Sequence, residues 1–321
     1  MNSENFNIYG KVAVLSGGDS PEREISLMSG RGIFNALKKL GLNVHFFDPA
    51  VKSLAEFILE KFNRVFIALH GTNGEDGTIQ GILEYLKIPY TGPGVLASSL
   101  AIDKVMTKKI WNYHGIATPK FYEIDENLDL NLIRNNLSFP LIVKPVYGGS
   151  TLGITKVTSS DKLYSAYELA LKYGKKVMVE EYIEGIELTC PILGSSKNIH
   201  ALPIVQIKAP NSNYNYHNKY FSDKTEYLCP TGLSFKIEEE IKKIVLESYT
   251  VLNCRGWSRV DLILRKTDNK PFLLEINTSP GMTLHSLVPI SAQSVGMSYE
   301  SLCFEILKMA SLDNYYYEEA Y

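Results

Sequence analysis

The chain has almost no net charge: 33 basic side chains stand against 35 acidic ones, for a formal charge of -2. That balance supplies no field for gathering nucleic acid or an anionic membrane surface, so neither is expected as a partner. Cysteine is scarce. Cys190, Cys229, Cys254 and Cys303 make no CxxC pair and no ligand-spaced cluster, which argues against a disulfide framework or a cysteine zinc site. Reduced, mostly buried thiols in a cytoplasmic protein are expected instead. No apolar run approaches the length of a bilayer span, and the opening Met-Asn-Ser-Glu-Asn-Phe-Asn has neither the basic nor the apolar segment of a signal peptide. Internal repeats and low-complexity tracts are missing too. So are GxGxxG after the first strand and GxxxxGK[ST] anywhere, which removes the usual dinucleotide fingerprint and the Walker loop.

What is present is length enough for two or three domains with real cores. Lys11-Val-Ala-Val-Leu15 reads as a buried strand, and Ser20-Pro21 as an N-cap with proline at the first helical position. Ile25, Met28, Ile33, Leu37 and Leu40 form the stripe of the helix that follows, and Val44 to Phe47 is a second strand. With no GxGxxG before it, Asp48 loses its case as a ribose-binding acid. The pattern is an open α/β layer whose first loop points at the carboxyl edge of the sheet. Glu22 and Glu24 in the first helical turn either complement the helix dipole or hold a ligand ammonium. Arg64 to Leu69, a further strand, opens into His70-Gly-Thr-Asn-Gly74-Glu75-Asp76-Gly77, where glycines permit close backbone approach to a small ligand. His70 is either a satisfied core histidine or, at this strand end beside a Gly/acid loop, a site residue.

Beyond a breaker cluster at Pro89 to Gly94 the pattern changes, and a boundary is expected near Asp103. Pro140 to Val143 is a strand carrying Lys144 at its end. Gly148, Gly149, Ser150, Thr151 and Gly153 then make a loop that is either a plain hairpin turn or a wrap for phosphate oxygens. Glu180, Glu181, Glu184 and Glu187 follow on strand-like sequence, as a solvated edge or as ligands of ribose hydroxyls. A polar loop from Asn211 to Asn218 precedes Lys219-Tyr220, and long loops of this kind are commonly lids.

The most informative stretch runs from Gly256 to Leu287. Two apolar segments flank Thr267-Asp268-Asn269, as in an antiparallel hairpin. Pairing Leu264 with Phe272 sets Leu262 against Leu274, Val260 against Ile276, Asp261 against Glu275 and Arg259 against Asn277. One face is greasy, and the other gathers two carboxylates, a carboxamide and a guanidinium. Either these are ordinary solvated charges or a hard divalent cation sits between the opposed acids.

Taken together, these stretches resemble the D-alanine–D-alanine ligases of the ATP-grasp superfamily. The resemblance is carried by Gly17-Gly-Asp-Ser-Pro-Glu22-Arg-Glu-Ile-Ser26, His70-Gly-x-x-Gly-Glu-Asp-Gly77, Pro89-Tyr-Thr-Gly92, Asp103-Lys104, Lys144-Pro145 with the glycine loop, Lys219-Tyr220 and the hairpin. It implies an ATP-grasp fold preceded by a Rossmann-like α/β domain, in three units: 1–103, 104–187 and 188–321. It further implies an ADP-forming ligase that joins two D-alanines through an acyl phosphate for peptidoglycan precursor synthesis. By the same resemblance Lys104, Lys144, Gly149, Ser150 and Thr151 meet the phosphates of ATP, Glu180, Glu181 and Ile183 border adenine, and Glu187 holds ribose. Lys219 reaches the transferring phosphate and Arg259 neutralises it. Asp261, Glu275 and Asn277 hold two Mg²⁺ or Mn²⁺ ions. Glu22, Ser150 and Tyr220 form a hydrogen-bonded set in which Glu22 takes the substrate ammonium. His70 joins the substrate wall, while Gly281, Ser286 and Leu287 receive the carboxylate and second D-alanine. A homodimer is implied as well. Tyr220, where ester-forming members usually carry phenylalanine, favours the dipeptide over D-alanyl-D-lactate; a non-catalytic nucleotide binder is a further alternative. Tyr147-Gly148, Glu181-Tyr182 and Cys190-Pro191 depart from the family pattern.

Overall fold

The computed structural model describes residues 6–126, 133, 135–149, 151–194, 198–209 and 225–313. Ser150, Lys219, Tyr220, the polar loop before them and the tail from 314 onward lie outside the described residues.

β1 (Val12–Leu15), β2 (Val44–Phe47) and β3 (Arg64–Ile67) form a parallel sheet in the order β2-β1-β3. All of β1 is buried, as a central parallel strand covered on both faces requires. α1 (Arg23–Lys39) buries Ile25, Ile33 and Leu37, but Met28 is 51% exposed and stands in the wall of a cleft. The expected cap is corrected: α1 starts at Arg23, with Glu22 and not Ser20 at its N-cap. The Ser20 hydroxyl instead donates to the His70 carbonyl at 2.7 Å and accepts from the Glu22 N–H at 3.2 Å. A tertiary bond has taken the group that local sequence offered to the helix. Asp48, at the end of β2, is ion-paired to Arg23 at 2.7 Å and accepts the Gly18 N–H, so it anchors the first loop.

α2 (Leu54–Leu59) opens with a capping box of Ser53 and Glu56. α3 (Thr78–Tyr85), α4 (Val95–Ile102) and α5 (Lys104–Tyr113) follow, the last capped by the Asp103 carboxylate on the Met106 N–H. A second sheet contains β4 (Phe121–Ile124), β5 (Leu141–Pro145), β6 (Thr155–Val157) and β7 (Val177–Glu181), antiparallel in the order β4-β7-β5-β6. Leu141, Val143, Val177 and Val179 pack with α6 (Leu163–Leu171) on one face. Alternation therefore puts Lys144 and Glu180 together on the other.

The third sheet runs β11-β10-β8-β12-β13, with β9 (His200–Ala201) added to β8. Its strands are β8 (Gly185–Gly194), β10 (Val205–Lys208), β11 (Glu226–Leu228), β12 (Gly256–Arg265) and β13 (Pro271–Asn277). α7 (Phe235–Val251) buries Ile241, Val245 and Tyr249 against Cys190, Val260, Leu262 and Leu264, so the unusual Cys190 is a core residue. α8 (Leu287–Ser294) and α9 (Tyr299–Lys308) return the chain to the first sheet, where Val288, Leu302 and Ile306 meet Ile33 and Leu37 of α1.

The hairpin register is as expected at one end and not at the other. Arg259 pairs with Asn277, Val260 with Ile276 and Asp261 with Glu275. A bulge between Asp261 and Leu262 then shifts the ladder, pairing Leu262 with Leu273, Ile263 with Phe272 and Leu264 with Pro271. The expected Leu264–Phe272 and Leu262–Leu274 pairs are corrected by this extra residue. A bulge re-aims the strand beside it and is common next to active sites.

Candidate active site

The polar face of the hairpin is a closed network of charge. Arg259 donates from Nε and Nη2 to the two carboxylate oxygens of Asp261 at 2.9 and 2.7 Å. Asn277 Nδ2 donates to Asp261 Oδ2 at 3.1 Å, and the Thr189 hydroxyl of β8 donates to Oδ1 at 2.5 Å. Opposite, Glu275 Oε2 faces Lys104 Nζ at 3.4 Å. Each opposed acid has thus been given its own cation. Two carboxylates and a carboxamide form a hard oxygen donor set suited to Mg²⁺ or Mn²⁺ once the cations yield. Among the described residues no group of three or more His, Cys, Asp or Glu has metal-site geometry.

Lys104 is held from the glycine loop as well, donating to Gly148 O at 2.5 Å. The Tyr147 hydroxyl donates to Asp103 Oδ2 at 3.0 Å, tying the same loop to the start of α5. This gives the departure at Tyr147 a structural use. Lys144, Gly149, Thr151 and Glu275 line the small cavity beneath the loop.

On the N-terminal side, His70 and Glu75 brace the segment after β13. The Ser279 carbonyl accepts from His70 Nδ1 at 2.8 Å, which fixes that nitrogen as the protonated one. Nε2 then accepts from the Ser29 hydroxyl at 3.1 Å, and Ser29 Oγ accepts the Met282 N–H at 3.1 Å. Burial lowers the His70 pKa and keeps the ring neutral, against the pull of Glu22. Glu75 takes the N–H groups of Gly71 and Ser279 at 3.0 and 3.3 Å. Burial, reinforced by nearby Glu22, pushes its carboxyl up to about 8. Glu22 lies between two glycines: a Cβ on Gly71 would stand 2.9 Å from Glu22 Oε2, and one on Gly149 3.2 Å from it.

Glu22, His70, Gly149, Arg259, Glu275, Asn277, Gly281, Ser286 and Leu287 line one open cleft of about 920 Å³, including the solvent at its mouth. The sequence-expected substrate and metal residues are therefore brought together, with Asp261 bonded to two of them. Glu180 is 3% exposed and ion-paired at Oε1 with Lys144 Nζ at 2.5 Å and at Oε2 with Lys108 Nζ at 3.0 Å. Burial would raise its carboxyl, but Lys108 and Lys144 outweigh that and hold it below the ordinary range. Burial pulls Lys108 down to about 8, against the attraction of Glu180. Glu181, Ile183 and Glu187 stand apart from the cleft walls, at the end of β7, in the following turn and on β8. Sequence reading passed over Glu75, Lys108, Thr118 and Thr189. For Glu75 the signal was its place in the Gly/acid loop; the others are defined by contacts between distant segments.

Two family models match the chain, D-ala D-ala ligase N-terminus over residues 50–93 and D-ala D-ala ligase C-terminus over residues 109–308. The D-alanine--D-alanine ligases of Paracidovorax citrulli and Delftia acidovorans are 54% and 55% identical to it over 304 residues, which is 95% of this chain and 91% and 93% of theirs. A crystal structure of D-alanine--D-alanine ligase from Bacillus anthracis complexed with ATP superposes with a TM-score of 0.81 at 34% identity, covering 93% of this chain and 96% of that one. The VanG D-Ala:D-Ser ligase of Enterococcus faecalis also gives 0.81, at 29% identity, over 93% and 98% of the two chains. With sequence matched across both halves and architecture matched over 93% of its length, the chain belongs to the D-alanine–D-alanine ligase family.

Proposed function

We propose that this chain, a D-alanine–D-alanine ligase, activates one D-alanine with ATP and couples it to a second within the cleft described above. The observation that carries the site assignment is a shared wall: Glu275 and Gly149 line both the substrate-side cleft and the cavity under the glycine loop. A carboxylate in the first and phosphates in the second would meet there. A carboxylate is a poor acceptor for an amine, so its oxygen first takes the terminal phosphoryl group of ATP, leaving ADP. The free amine of the second D-alanine then attacks the acyl phosphate and expels phosphate. Such transfer needs positioning and charge neutralisation more than a protein nucleophile.

Glu22 receives the first ammonium, and Gly281, Ser286 and Leu287 receive the carboxylate and the second D-alanine. Both ring nitrogens of His70 bond to protein, so it serves the substrate by fixing the wall at Ser279. Lys104, Lys144, Gly149, Ser150 and Thr151 take the phosphates. Glu180, Glu181 and Ile183 border adenine, and Glu187 the ribose. Arg259 and Lys219 neutralise the group in transfer, while Tyr220 and Ser150 complete the set around Glu22. Asp261, Glu275 and Asn277 would hold two Mg²⁺ or Mn²⁺ ions, which supply charge neutralisation to phosphate oxygens. Arg259 and Lys104 already stand on those carboxylates, so the fit is to cations.

The three proposed units are 1–103, 104–187 and 188–321, the second boundary falling within β8. A cytoplasmic homodimer is proposed; no helix among the described residues is long and apolar enough to cross a membrane. The second reading, transfer to D-lactate, is disfavoured by Tyr220. Supplying D-alanine and D-lactate together at neutral pH, with product analysis, decides: dipeptide supports the assignment, and predominant ester overturns it.

A further inference from the structure

Behind the cleft, a lysine that the reaction as described leaves unused completes an ion cluster with Glu180 and Lys144. Lys108 of α5 is 0% exposed, and its ammonium faces Glu180 Oε2 at 3.0 Å while Lys144 takes Oε1 at 2.5 Å. Lys108 also donates to the Thr118 hydroxyl at 2.5 Å, and Thr118 donates onward to the Leu273 carbonyl at 2.8 Å. The Leu273 N–H returns to Ala117 O at 2.9 Å. Leu273 is the residue that faces Leu262 just beyond the bulge, two positions before Glu275. One chain of contacts thus runs from the acid beside Lys144 to the strand bearing the proposed metal ligands.

The cost of burying an ammonium makes this placement informative. A methionine of similar shape would fill the site without desolvating a charge. With Lys108 present, two ammonium groups share one carboxylate, and the cluster keeps a net positive charge beside the phosphate cavity. Without it, Glu180 and Lys144 would neutralise each other, and Lys144 would be drawn away from phosphate.

We infer that Lys108 is a positioning residue for ATP, holding Glu180 from behind so that Lys144 stays available to phosphate, and locking that acid to β13 through Thr118. This rests on the placement of ATP proposed above. The test compares Lys108→Met, Lys144→Met, Glu180→Gln and the Lys108→Met/Glu180→Gln double variant in steady-state kinetics and thermal melting. Lys108→Met is expected to raise KM for ATP about tenfold while KM for D-alanine stays within about twofold. The double variant should bind ATP no more weakly than Glu180→Gln alone, because one residue acts through the other. A lowered melting temperature with unchanged KM for ATP would make Lys108 merely structural and overturn the inference. If Lys144→Met raises KM for ATP and Lys108→Met does not, the inference alone fails. If Lys144→Met changes nothing, the ATP placement fails and the inference with it. Should Lys108→Met not fold, Thr118→Val retains both charges and removes the bridge. A rise of about threefold in KM for ATP then supports the link, and no rise overturns it.

Discussion

The Lys104 ammonium lies 3.4 Å from the Glu275 carboxylate while donating to the carbonyl of Gly148. A single side chain at the start of α5 therefore joins the glycine loop to the acid on β13. The contact places a positive charge where phosphates are proposed to draw on it and a metal ion to take its place on Glu275. Lys104 is buried and Glu275 only 23% exposed, so the contact also keeps a shielded ammonium partnered.

Glu275→Gln follows directly from this contact. Turnover should fall by about 100-fold or more, the scale of losing one electrostatic stabiliser of transferring charge. The melting temperature should stay within about 2 °C, because Lys104 keeps its bond to Gly148 O and the amide oxygen of glutamine can still accept from it. Phosphate release and calorimetry on the same sample check both halves. Parallel loss of stability and activity would remove the metal assignment.

Gly149→Ala probes the first substrate. Gly149 is not among the glycines with positive φ, but an added Cβ would meet the Glu22 carboxylate oxygens at 3.2 and 3.3 Å. The carboxylate must give by a few tenths of an ångström, and KM for D-alanine should rise about fivefold with little loss of stability. An unchanged KM would show that Glu22 does not hold the ammonium.

Thr189→Val probes the support behind the metal residues. Its hydroxyl donates to Asp261 Oδ1 from the buried side of β8. Losing such a support commonly weakens metal binding about tenfold or more, so the Mg²⁺ concentration for half-maximal activity should rise by that factor. Thr189→Ser should restore it. The readout is a Mg²⁺ titration at saturating ATP.

The His70 ring supplies a pH prediction. Its pKa is lowered in the folded protein, chiefly by burial, whereas the unfolded chain titrates near 6.5. Below that value the unfolded state takes up a proton that the folded ring resists. Stability is therefore present above about 6.5 and lost as pH falls toward the folded pKa. Melting temperature should drop more steeply between pH 7 and 5 in the wild type than in His70→Gln. At pH 7 the variant should itself be less stable, having lost the bonds to Ser279 and Ser29. Equal slopes would mean the ring is not buried neutral.

Much of this site is legible in the sequence because strands alternate. The opposition of Asp261 and Glu275 needs only a hairpin and a period of two. The greasy end of the same hairpin departs from that pairing, because a bulge leaves no mark in the alternation of apolar residues. Ser20 carries every local sign of an N-cap, yet its hydroxyl is used by His70, a partner fifty positions away. Lys108, Thr118 and Thr189 were invisible for the same reason: their meaning lies in Glu180, Leu273 and Asp261, brought to them by sheet packing. The roles of Ser150, Lys219 and Tyr220 rest on the family resemblance alone.

The most direct test of the central claim follows an oxygen atom. D-Alanine labelled with ¹⁸O in its carboxylate is supplied with ATP and Mg²⁺, and the released phosphate is analysed by mass spectrometry. Activation as an acyl phosphate passes one labelled oxygen to each phosphate released, with one ADP formed per dipeptide. Unlabelled phosphate accompanying dipeptide would contradict the mechanism assigned to this cleft.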